Sequence, residues 1–249
     1  MFEYQTLFDA RGALYNRANR LYPEARAEEA REMLRHLTIS PASRWLDTCA
    51  GGGYLSLRAR AEGLAPARFA CDGSLQFLRS SDRLDSASVA SAEALPFPDG
   101  SFDAAACLAA LHHAEEPGAV CRELLRVTRP GGRAALGDVA EGSAASRFLN
   151  GFVDRRTEAG HRGRFYSLEA LAAFYRAAGG REIRCERVEI AWRFDSGEDA
   201  LLFCRDLFGL EPSTRDPEIR QSLLELGGRP ERGGFRIPWS MHYVSAGRE

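Results

Sequence analysis

Residues 45–56 read WLDTCAGGGYLS, an apolar segment that stops at Asp47 and is followed closely by three glycines. Glycine has no Cβ atom, so its backbone can approach a neighbouring group that a side chain would repel. In a doubly wound sheet, ligands bind at the carboxyl ends of the strands. The pattern therefore predicts that Asp47 ends a first strand, that Tyr54 begins a helix, and that a ligand lies across the turn at residues 49–53.

From Arg44 onward, short apolar segments alternate with longer helical ones. Such alternation implies a mostly parallel sheet with helices on both faces. We therefore predict a doubly wound, Rossmann-like α/β fold with a seven-stranded, mostly parallel sheet. The predicted strands are RWLDTCA, ARFACDG, SASVAS, DAAACLAAL, RAALGDV, REIRCERVEIAWRF and FRIPWSMHYVS.

Two segments fall outside this alternation. Residues 1–40 have helical spacing and are predicted to form a helical cap before the main domain. Residues 196–233 separate the last two strands, and a connection of that length must fold as a helical insertion. Its apolar residues could cover a binding pocket or pair two subunits, and the sequence leaves both open. In the last strand, Phe235, Trp239 and Tyr243 share one face and are expected to be core.

Composition restricts the class of partner. The formal net charge is -2, 45% of residues are hydrophobic, and no block of basic residues is present, so neither nucleic acid nor an anionic membrane is an expected partner. The six cysteines have no C-x-x-C spacing and no segment has the length of a membrane span, which favours a cytoplasmic protein without a metal site. A small-molecule ligand and a monomer or homodimer are expected.

The glycine turn alone does not identify its ligand. A dinucleotide site requires G-x-G-x-x-G with an acidic residue about 20 positions further on. Gly51 and Gly53 fit this pattern, but Ser56 stands where the third glycine belongs. Asp72 would suit a ribose hydroxyl in a dinucleotide or in another nucleoside ligand. The motif is therefore weak support for a dinucleotide.

Four further stretches narrow the choice. They are LDTCAGGG at 46–53, CDGS at 71–74, SAEALPFPDGSFDAAACLAALHHAEEP at 91–117 and ELLRVTRPGGR at 123–133. In this order and spacing they resemble the class I S-adenosylmethionine (SAM) methyltransferases, most closely the ubiquinone/menaquinone methyltransferase-like (type 11) family. The resemblance covers roughly residues 1–180 and implies a SAM-binding methyltransferase domain at 41–249.

The resemblance also implies which residues hold SAM. Asp47 and the backbone of 49–53 would line the methionine part, Asp72 would bind the ribose hydroxyls, and Ala92 and Glu93 would lie beside the adenine. Cys107 and Leu108 would contact the cofactor from the other side. The full set of expected cofactor residues is Tyr15, Asp47, Cys49, Ala50, Gly51, Gly53, Asp72, Gly73, Ser91, Ala92, Glu93, Cys107 and Leu108.

Two positions depart from the family pattern. Cys49 replaces the first glycine of the usual G-C-G-T-G, which would tighten the pocket. Ser91 replaces the aspartate of D-A-E-x-L-P-F, so the carboxylate that would accept from the adenine amino group is lost. The serine hydroxyl can still accept an uncharged hydrogen bond, which contributes about 0.5–1.5 kcal/mol. We expect SAM binding to survive.

The candidate catalytic residues are His112, His113, His161 and Tyr166. The first two follow the fourth strand and could act as a base or orient an acceptor, or simply pack in a loop. The other two lie in residues 141–166, where the family often places its substrate cover. There Arg162 and Arg164 would pair with an anionic acceptor, or form a solvated loop.

The resemblance implies methyl transfer from SAM to a small molecule, with O- or C-methylation favoured. In-line displacement gains much of its rate from holding the two reactants together, so a base is needed only for an acceptor that keeps its proton. The alternative is a SAM-binding protein without transferase activity, which the change at Ser91 favours. Methylation of RNA or protein is disfavoured by the near-neutral charge and the lack of an appended binding module.

Overall fold

The computed structural model describes residues 2–64, 69–79 and 86–249, so the first two residues of the predicted strand ARFACDG lie outside the described part. Helices alternate with strands through most of the chain, as the apolar periodicity predicts. The helices are α1 (Phe2–Leu21), α2 (Ala27–His36), α3 (Tyr54–Ala61), α4 (Leu75–Arg79), α5 (Pro117–Val127), α6 (Ala144–Phe148), α7 (Leu168–Ala177), α8 (Gly197–Phe208) and α9 (Asp216–Glu225).

Eight strands form a single sheet among the described residues. They are β1 (Trp45–Thr48), β2 (Phe69–Asp72), β3 (Ala87–Val89), β4 (Phe102–Leu108), β5 (Thr128–Val139), β6 (Arg181–Phe194), β7 (Arg229–Glu231) and β8 (Gly234–Gly247). Seven of them follow the order β3-β2-β1-β4-β5-β8-β6, and the short β7 pairs with β8 beside this path. The predicted fold is confirmed, with β7 as one strand more than the sequence predicted.

The sheet is parallel from β3 to β5 and antiparallel where β8 joins β5 and β6. Because β2 and β4 lie on opposite sides of β1, the chain reverses its direction of travel across the sheet between β1 and β4. Crevices at the carboxyl ends of strands form at such a reversal. Cys49 and Ala109, which directly follow these two strands, both have positive φ (52° and 53°). Non-glycine residues rarely adopt this conformation, and it tends to cluster at functional sites.

Side chains alternate between the two faces of the sheet, and each face has its own apolar core. Trp45, Ala104 and Tyr243 belong to the core on the side of α2 and α3. Leu46, Ala105 and their neighbours face α5 and α7 on the other side. The period-two alternation of strand side chains thus explains how short apolar segments supply both cores.

The insertion (residues 196–233) packs against the N-terminal helix α1. Helix α1 packs against α8 and α4, and Arg17 of α1 donates from Nε to Asp206 of α8 at 2.6 Å. Ser196 caps α8 by accepting from the backbone N–H of Asp199, and Gly209 ends it with φ 61°. The insertion therefore covers the same edge of the sheet as the N-terminal cap.

No helix in the described residues has both the length and the apolar character needed to cross a membrane.

Candidate functional site

Two clefts open at the carboxyl ends of the strands, with volumes of about 870 Å³ and 970 Å³. The first lies under α1 and the insertion, and its lining is Arg11, Tyr15, Arg26, Glu29, Cys49, Gly51, Asp72, Phe77, Leu108, Ala109, Ala110, His112, His113, Val139, Leu149, His161, Trp192, Leu207, Phe208 and Trp239. The second is lined by Cys49, Gly73, Val89, Ala90, Ser91, Ala92, Glu93, Cys107, Ala110, Leu111, His113, Ala114, Glu115 and Val120. Cys49, Ala110 and His113 line both, so the clefts meet there.

The second cleft collects the residues expected beside the adenine, which are Ser91, Ala92 and Glu93. Ser91 and Glu93 lie in the turn after β3, where the Ser91 hydroxyl accepts from the Glu93 N–H at 3.2 Å. The Glu93 carboxylate accepts from the backbone N–H groups of Glu115 and Glu116 at 2.8 and 3.1 Å. These bonds tie the turn to the start of α5 and fix the width of the cleft.

Asp72 connects the two loops that flank β1 and β2. Its carboxylate accepts from the Gly51 N–H at 2.9 Å and from the Ser74 N–H at 2.8 Å. The glycine turn is therefore held against the end of β2 by a charge-assisted hydrogen bond. Asp72 also lines the first cleft, close to where the clefts meet.

The glycines of the turn are required by helix α1 as well as by any ligand. A Cβ atom on Gly52 would lie 2.1 Å from Asn16 Oδ1, and one on Gly51 would lie 3.3 Å from the ring of Tyr15. Asn16 in turn donates to the Phe77 carbonyl at 3.1 Å. In the structure the close approach at this turn is made by the protein's own side chains, chiefly Tyr15 and Asn16 of helix α1, and the ligand predicted to lie across the turn stays a prediction.

Asp47 is buried at the end of β1, with 2% of its surface exposed. Its Oδ2 atom has no hydrogen-bond partner among the described residues, although the Ser56 N–H donates to the carboxyl group. Burial, reinforced by the charge of Asp72, raises the pKa of Asp47 to about 8. A buried carboxyl oxygen without a donor is suited to a cationic ligand group.

Aromatic side chains form the far wall of the first cleft. The rings of Trp192 and Trp239 stack with centroids 4.0 Å apart, and Phe208 of the insertion stacks on Trp192 at 6.2 Å. The indole N–H of Trp192 donates to Glu29 at 3.0 Å, and Glu29 is paired with the buried Arg26. Phe235, Trp239 and Tyr243 of β8, which the sequence predicts as core, are buried. Trp239 also lines the first cleft.

Three histidines converge where the clefts meet. The ring centroids of His112 and His113 are 4.1 Å apart, and that of His161 lies 5.3 and 5.0 Å from them. The Asp138 carboxylate accepts from His112 Nδ1 at 2.7 Å and from the His112 backbone N–H at 2.8 Å. Since a carboxylate only accepts, Nδ1 carries a proton, and Nε2 is the ring nitrogen that Asp138 leaves unengaged.

The other two rings of this cluster are neutral at physiological pH. Burial lowers the pKa of His161 to about 3, and the neighbouring His112 and Arg11 act in the same direction. Burial also holds the pKa of His113 well below its ordinary value. Neutral imidazole rings can bind metal ions, but a pKa this low makes His161 a weak proton acceptor.

Two arginines line the first cleft, and Arg26 is paired with Glu29, whereas Arg11 is not paired with a carboxylate among the described residues. Its Nη2 atom has no hydrogen-bond partner within the described part of the chain, and burial lowers its pKa to about 10. Arg162 and Arg164, the predicted anion-binding pair, are exposed. Tyr166 lies in the other core, 5.4 Å from Phe174. The structure thus brings together the three predicted histidines but not Tyr166.

The expected cofactor residues are distributed over both clefts. Cys49 lines both, and Tyr15, Gly51, Asp72 and Leu108 line the first. Those lining only the second are Gly73, Ser91, Ala92, Glu93 and Cys107. Asp47, Ala50 and Gly53 support the turn from beneath or beside it, and Gly53 precedes α3 with φ 78°.

Sequence reasoning missed Arg11, Asp138 and Trp192 as site residues, whereas Phe208 belongs to the insertion whose apolar residues were expected to cover a pocket or pair two subunits. Among the missed residues a signal existed only for Asp138, an acidic residue near the end of the strand-like segment RAALGDV, beside the histidine pair in a parallel sheet. Arg11 and Trp192 reach the cleft from segments far from the glycine turn. Their approach depends on tertiary packing that no local pattern encodes.

Comparison with known proteins supports a single class. Residues 46–136 match the methyltransferase domain family. The chain is similar to malonyl-acyl-carrier protein O-methyltransferase of Erwinia pyrifoliae, with 34% identity over 53% of this chain and 52% of the relative. It is also similar to demethylmenaquinone methyltransferase of Corynebacterium urealyticum, with 34% identity over 55% and 59% of the two chains.

The fold is shared over nearly the whole chain. A solved SAM-dependent methyltransferase from Thermotoga maritima superposes with a TM-score of 0.65 at 15% identity, covering 98% of this chain and 99% of that one. Residues 46–136 therefore match a methyltransferase domain, and the whole chain has the fold of a solved SAM-dependent methyltransferase. Its matches span about half the length of these curated relatives.

Proposed function

We propose that this protein transfers a methyl group from SAM to a small-molecule acceptor, with the nucleoside in the second cleft and the acceptor in the first. The observation that carries the proposal is the junction of the clefts at Cys49, Ala110 and His113, at the strand ends of a methyltransferase domain. A donor and an acceptor held on either side of this junction would meet there. Such positioning supplies much of the acceleration in a displacement reaction.

The residues of this chain fit SAM. The Asp47 Oδ2 atom, which has no donor among the described residues, is suited to the ammonium of the methionine part. Gly73 and Ala92 leave room for a nucleoside in the second cleft, and the Ser91 hydroxyl can accept from an adenine amino group. When bound, SAM supplies an electrophilic methyl group on its sulfonium.

The first cleft favours a flat, apolar acceptor that carries an anionic group. Trp192, Trp239 and Phe208 offer aromatic faces on which a planar body would stack. Arg11 offers a guanidinium with an Nη2 group that no described residue engages, and such a group binds carboxylates and phosphates well. This arrangement supports O- or C-methylation of a small acid rather than methylation of a cationic amine.

His112 is suited to receive the acceptor's proton. Asp138 holds this residue by two hydrogen bonds, from Nδ1 and from the backbone N–H, and leaves Nε2 unengaged. An imidazole oriented in this way by a carboxylate is a common arrangement for general-base catalysis. Asp138 is then a positioning residue.

Transfer of labelled methyl tests the proposal. Tritiated SAM is incubated with the protein and either a bacterial small-molecule extract or protein and RNA fractions, and label should enter an acidic small molecule alone. Asp47→Ala should abolish transfer, while Asp103→Ala, a surface carboxyl that pairs with Arg129, should leave it unchanged. Label in macromolecules would refute the acceptor class.

The rival function is SAM binding without transfer. Calorimetric titration with S-adenosylhomocysteine separates the two: binding without transfer to any fraction would support the rival, and no binding would refute both. The cytoplasmic location and the monomeric or dimeric state expected from the sequence stay predictions.

A further inference from the structure

We propose that His112, His113 and His161 bind a divalent transition-metal ion of the zinc class, with at least one coordination position open to the first cleft. Each histidine contributes one ring nitrogen, and these three atoms lie within 4.8 Å of one another. All three side chains line the first cleft. A set of three histidines with an open position is typical of catalytic zinc sites.

The geometry needs only small adjustments to hold an ion. Zinc–nitrogen bonds of about 2.0–2.1 Å at tetrahedral angles place ligand nitrogens about 3.3 Å apart. The rings therefore have to approach one another by roughly 1–1.5 Å at most, which rotation about the side-chain bonds supplies. His112 and His113 are held in a short 3-10 turn after β4, and His161 comes from the segment before α7.

Two of the rings already have the outer hydrogen bonds that metal-binding histidines use. His112 donates from Nδ1 to Asp138, so Nε2 is its ring nitrogen for binding a metal. His161 Nδ1 lies 3.3 Å from Asn150 Oδ1. The same oxygen accepts from the Gly163 N–H at 3.0 Å, and the Asn150 amide donates to the Gly163 carbonyl at 2.7 Å. Asn150 therefore presents an acceptor, and His161 Nε2 keeps its lone pair.

The charges around the cluster indicate what would occupy the open position. Arg11 faces it as a cation, and Asp138 faces it through His112. A divalent ion next to a guanidinium would leave the cleft strongly positive, and an anionic oxygen ligand would neutralise both. The assignment of the open position rests on the proposed function, because the ligand that completes the metal site is then the anionic group of the acceptor. With the ion bound, His112 acts as a ligand and not as a proton acceptor.

Metal binding can be measured without SAM or acceptor, so its failure leaves the proposed function untouched. The protein is prepared without a histidine tag, treated with a chelator, and titrated with Co²⁺ by visible absorption and with Zn²⁺ by calorimetry. We expect one ion per chain and cobalt bands typical of nitrogen ligands. A cobalt–thiolate charge-transfer band, or substoichiometric binding by the wild-type chain, would overturn the proposal.

The chain offers a matched control because it has five histidines. His36→Gln combined with His242→Gln leaves only the three proposed ligands, and this variant should bind the ion as the wild type does. His161→Asn should lose measurable binding, and Asp138→Asn should weaken it about 10–100-fold. Circular dichroism checks folding, and His113→Asn serves in place of His161→Asn if the latter does not fold. Wild-type affinity in both ligand variants would refute the assignment.

Discussion

Replacing Asp47 by asparagine is expected to stabilise the ligand-free protein and to weaken its binding of SAM. The carboxyl is buried, and its pKa is raised to about 8 by burial and then by Asp72. Below pH 4 the Asp47 carboxyl is protonated in both the folded and the unfolded chain, so its ionisation does not lower the free energy of unfolding. As the pH rises toward 8, Asp47 ionises in the unfolded chain but stays protonated in the folded one, so the free energy of unfolding falls.

The magnitude follows from the pKa. Each pH unit between the ordinary value of 3.8 and about 8 costs about 1.4 kcal/mol. At pH 7 the folded state therefore carries a penalty of about 4 kcal/mol, which an uncharged asparagine of the same shape avoids. Asp47→Asn should raise the free energy of unfolding by about 3–4 kcal/mol at pH 7 and by less than about 1 kcal/mol at pH 4.

The same substitution should weaken cofactor binding, although it stabilises the ligand-free protein. A carboxylate paired with the ammonium of SAM contributes about 1.5–3 kcal/mol as a charge-assisted hydrogen bond. Asp47→Asn should therefore weaken binding of S-adenosylhomocysteine, which carries the same ammonium, by about 10–100-fold in calorimetric titrations.

Urea unfolding at pH 4 and pH 7 measures the stability effect. Asp103→Asn is the control with the opposite sign, because the N–H of Arg44 and the guanidinium of Arg129 hold the pKa of Asp103 below its ordinary value. Its stabilising contribution is present above the unfolded pKa, so this variant should lose stability at pH 7. An Asp47→Asn chain that is less stable than the wild type at pH 7, or that binds the cofactor equally well, would refute the reasoning.

Three further substitutions test other contacts. Gly52→Ala should lower the free energy of unfolding by about 1–3 kcal/mol in urea titrations, because its Cβ would clash with Asn16; adding Asn16→Ala should recover part of that loss. Glu29→Gln should cost about 3–5 kcal/mol by the same measurement, since it leaves the buried Arg26 guanidinium without its carboxylate. Ser91→Asp should tighten binding of S-adenosylhomocysteine by up to about 10-fold in calorimetry by restoring a charged acceptor for the adenine amino group; unchanged affinity would show that this side chain does not meet the base.

Much of the fold could be predicted from local chemistry. The alternation of apolar segments predicts the strands, and Ser167 caps α7 by accepting from the Ala170 N–H, as a helix N-cap should. The sequence does not reveal that Cys185 of β6 is exposed. Strand β6 is the edge strand of the sheet and its residues 184–187 are exposed, a consequence of tertiary position that apolar spacing does not encode.

The lining of the second cleft could be predicted better than the lining of the first. Gly73, Ser91 and Ala92 directly follow strands, so their position at the sheet edge depends on short-range structure alone. Arg11 reaches the cleft from α1 and Trp192 from β6, and both positions depend on how distant elements pack. Tyr166 has a promising position in the sequence, yet its ring packs against Phe174 on the opposite side of the sheet.

The two clefts differ in which parts of the chain build them. Every described residue that lines the second cleft falls between 49 and 120, inside the segment that matches the methyltransferase domain family. The aromatic wall and both arginines of the first cleft come from outside that segment. Under the proposed division of the two clefts, substitutions in the flanking segments, for example at Arg11, Leu207 or Trp239, would change which acceptor binds while the lining of the second cleft stays the same.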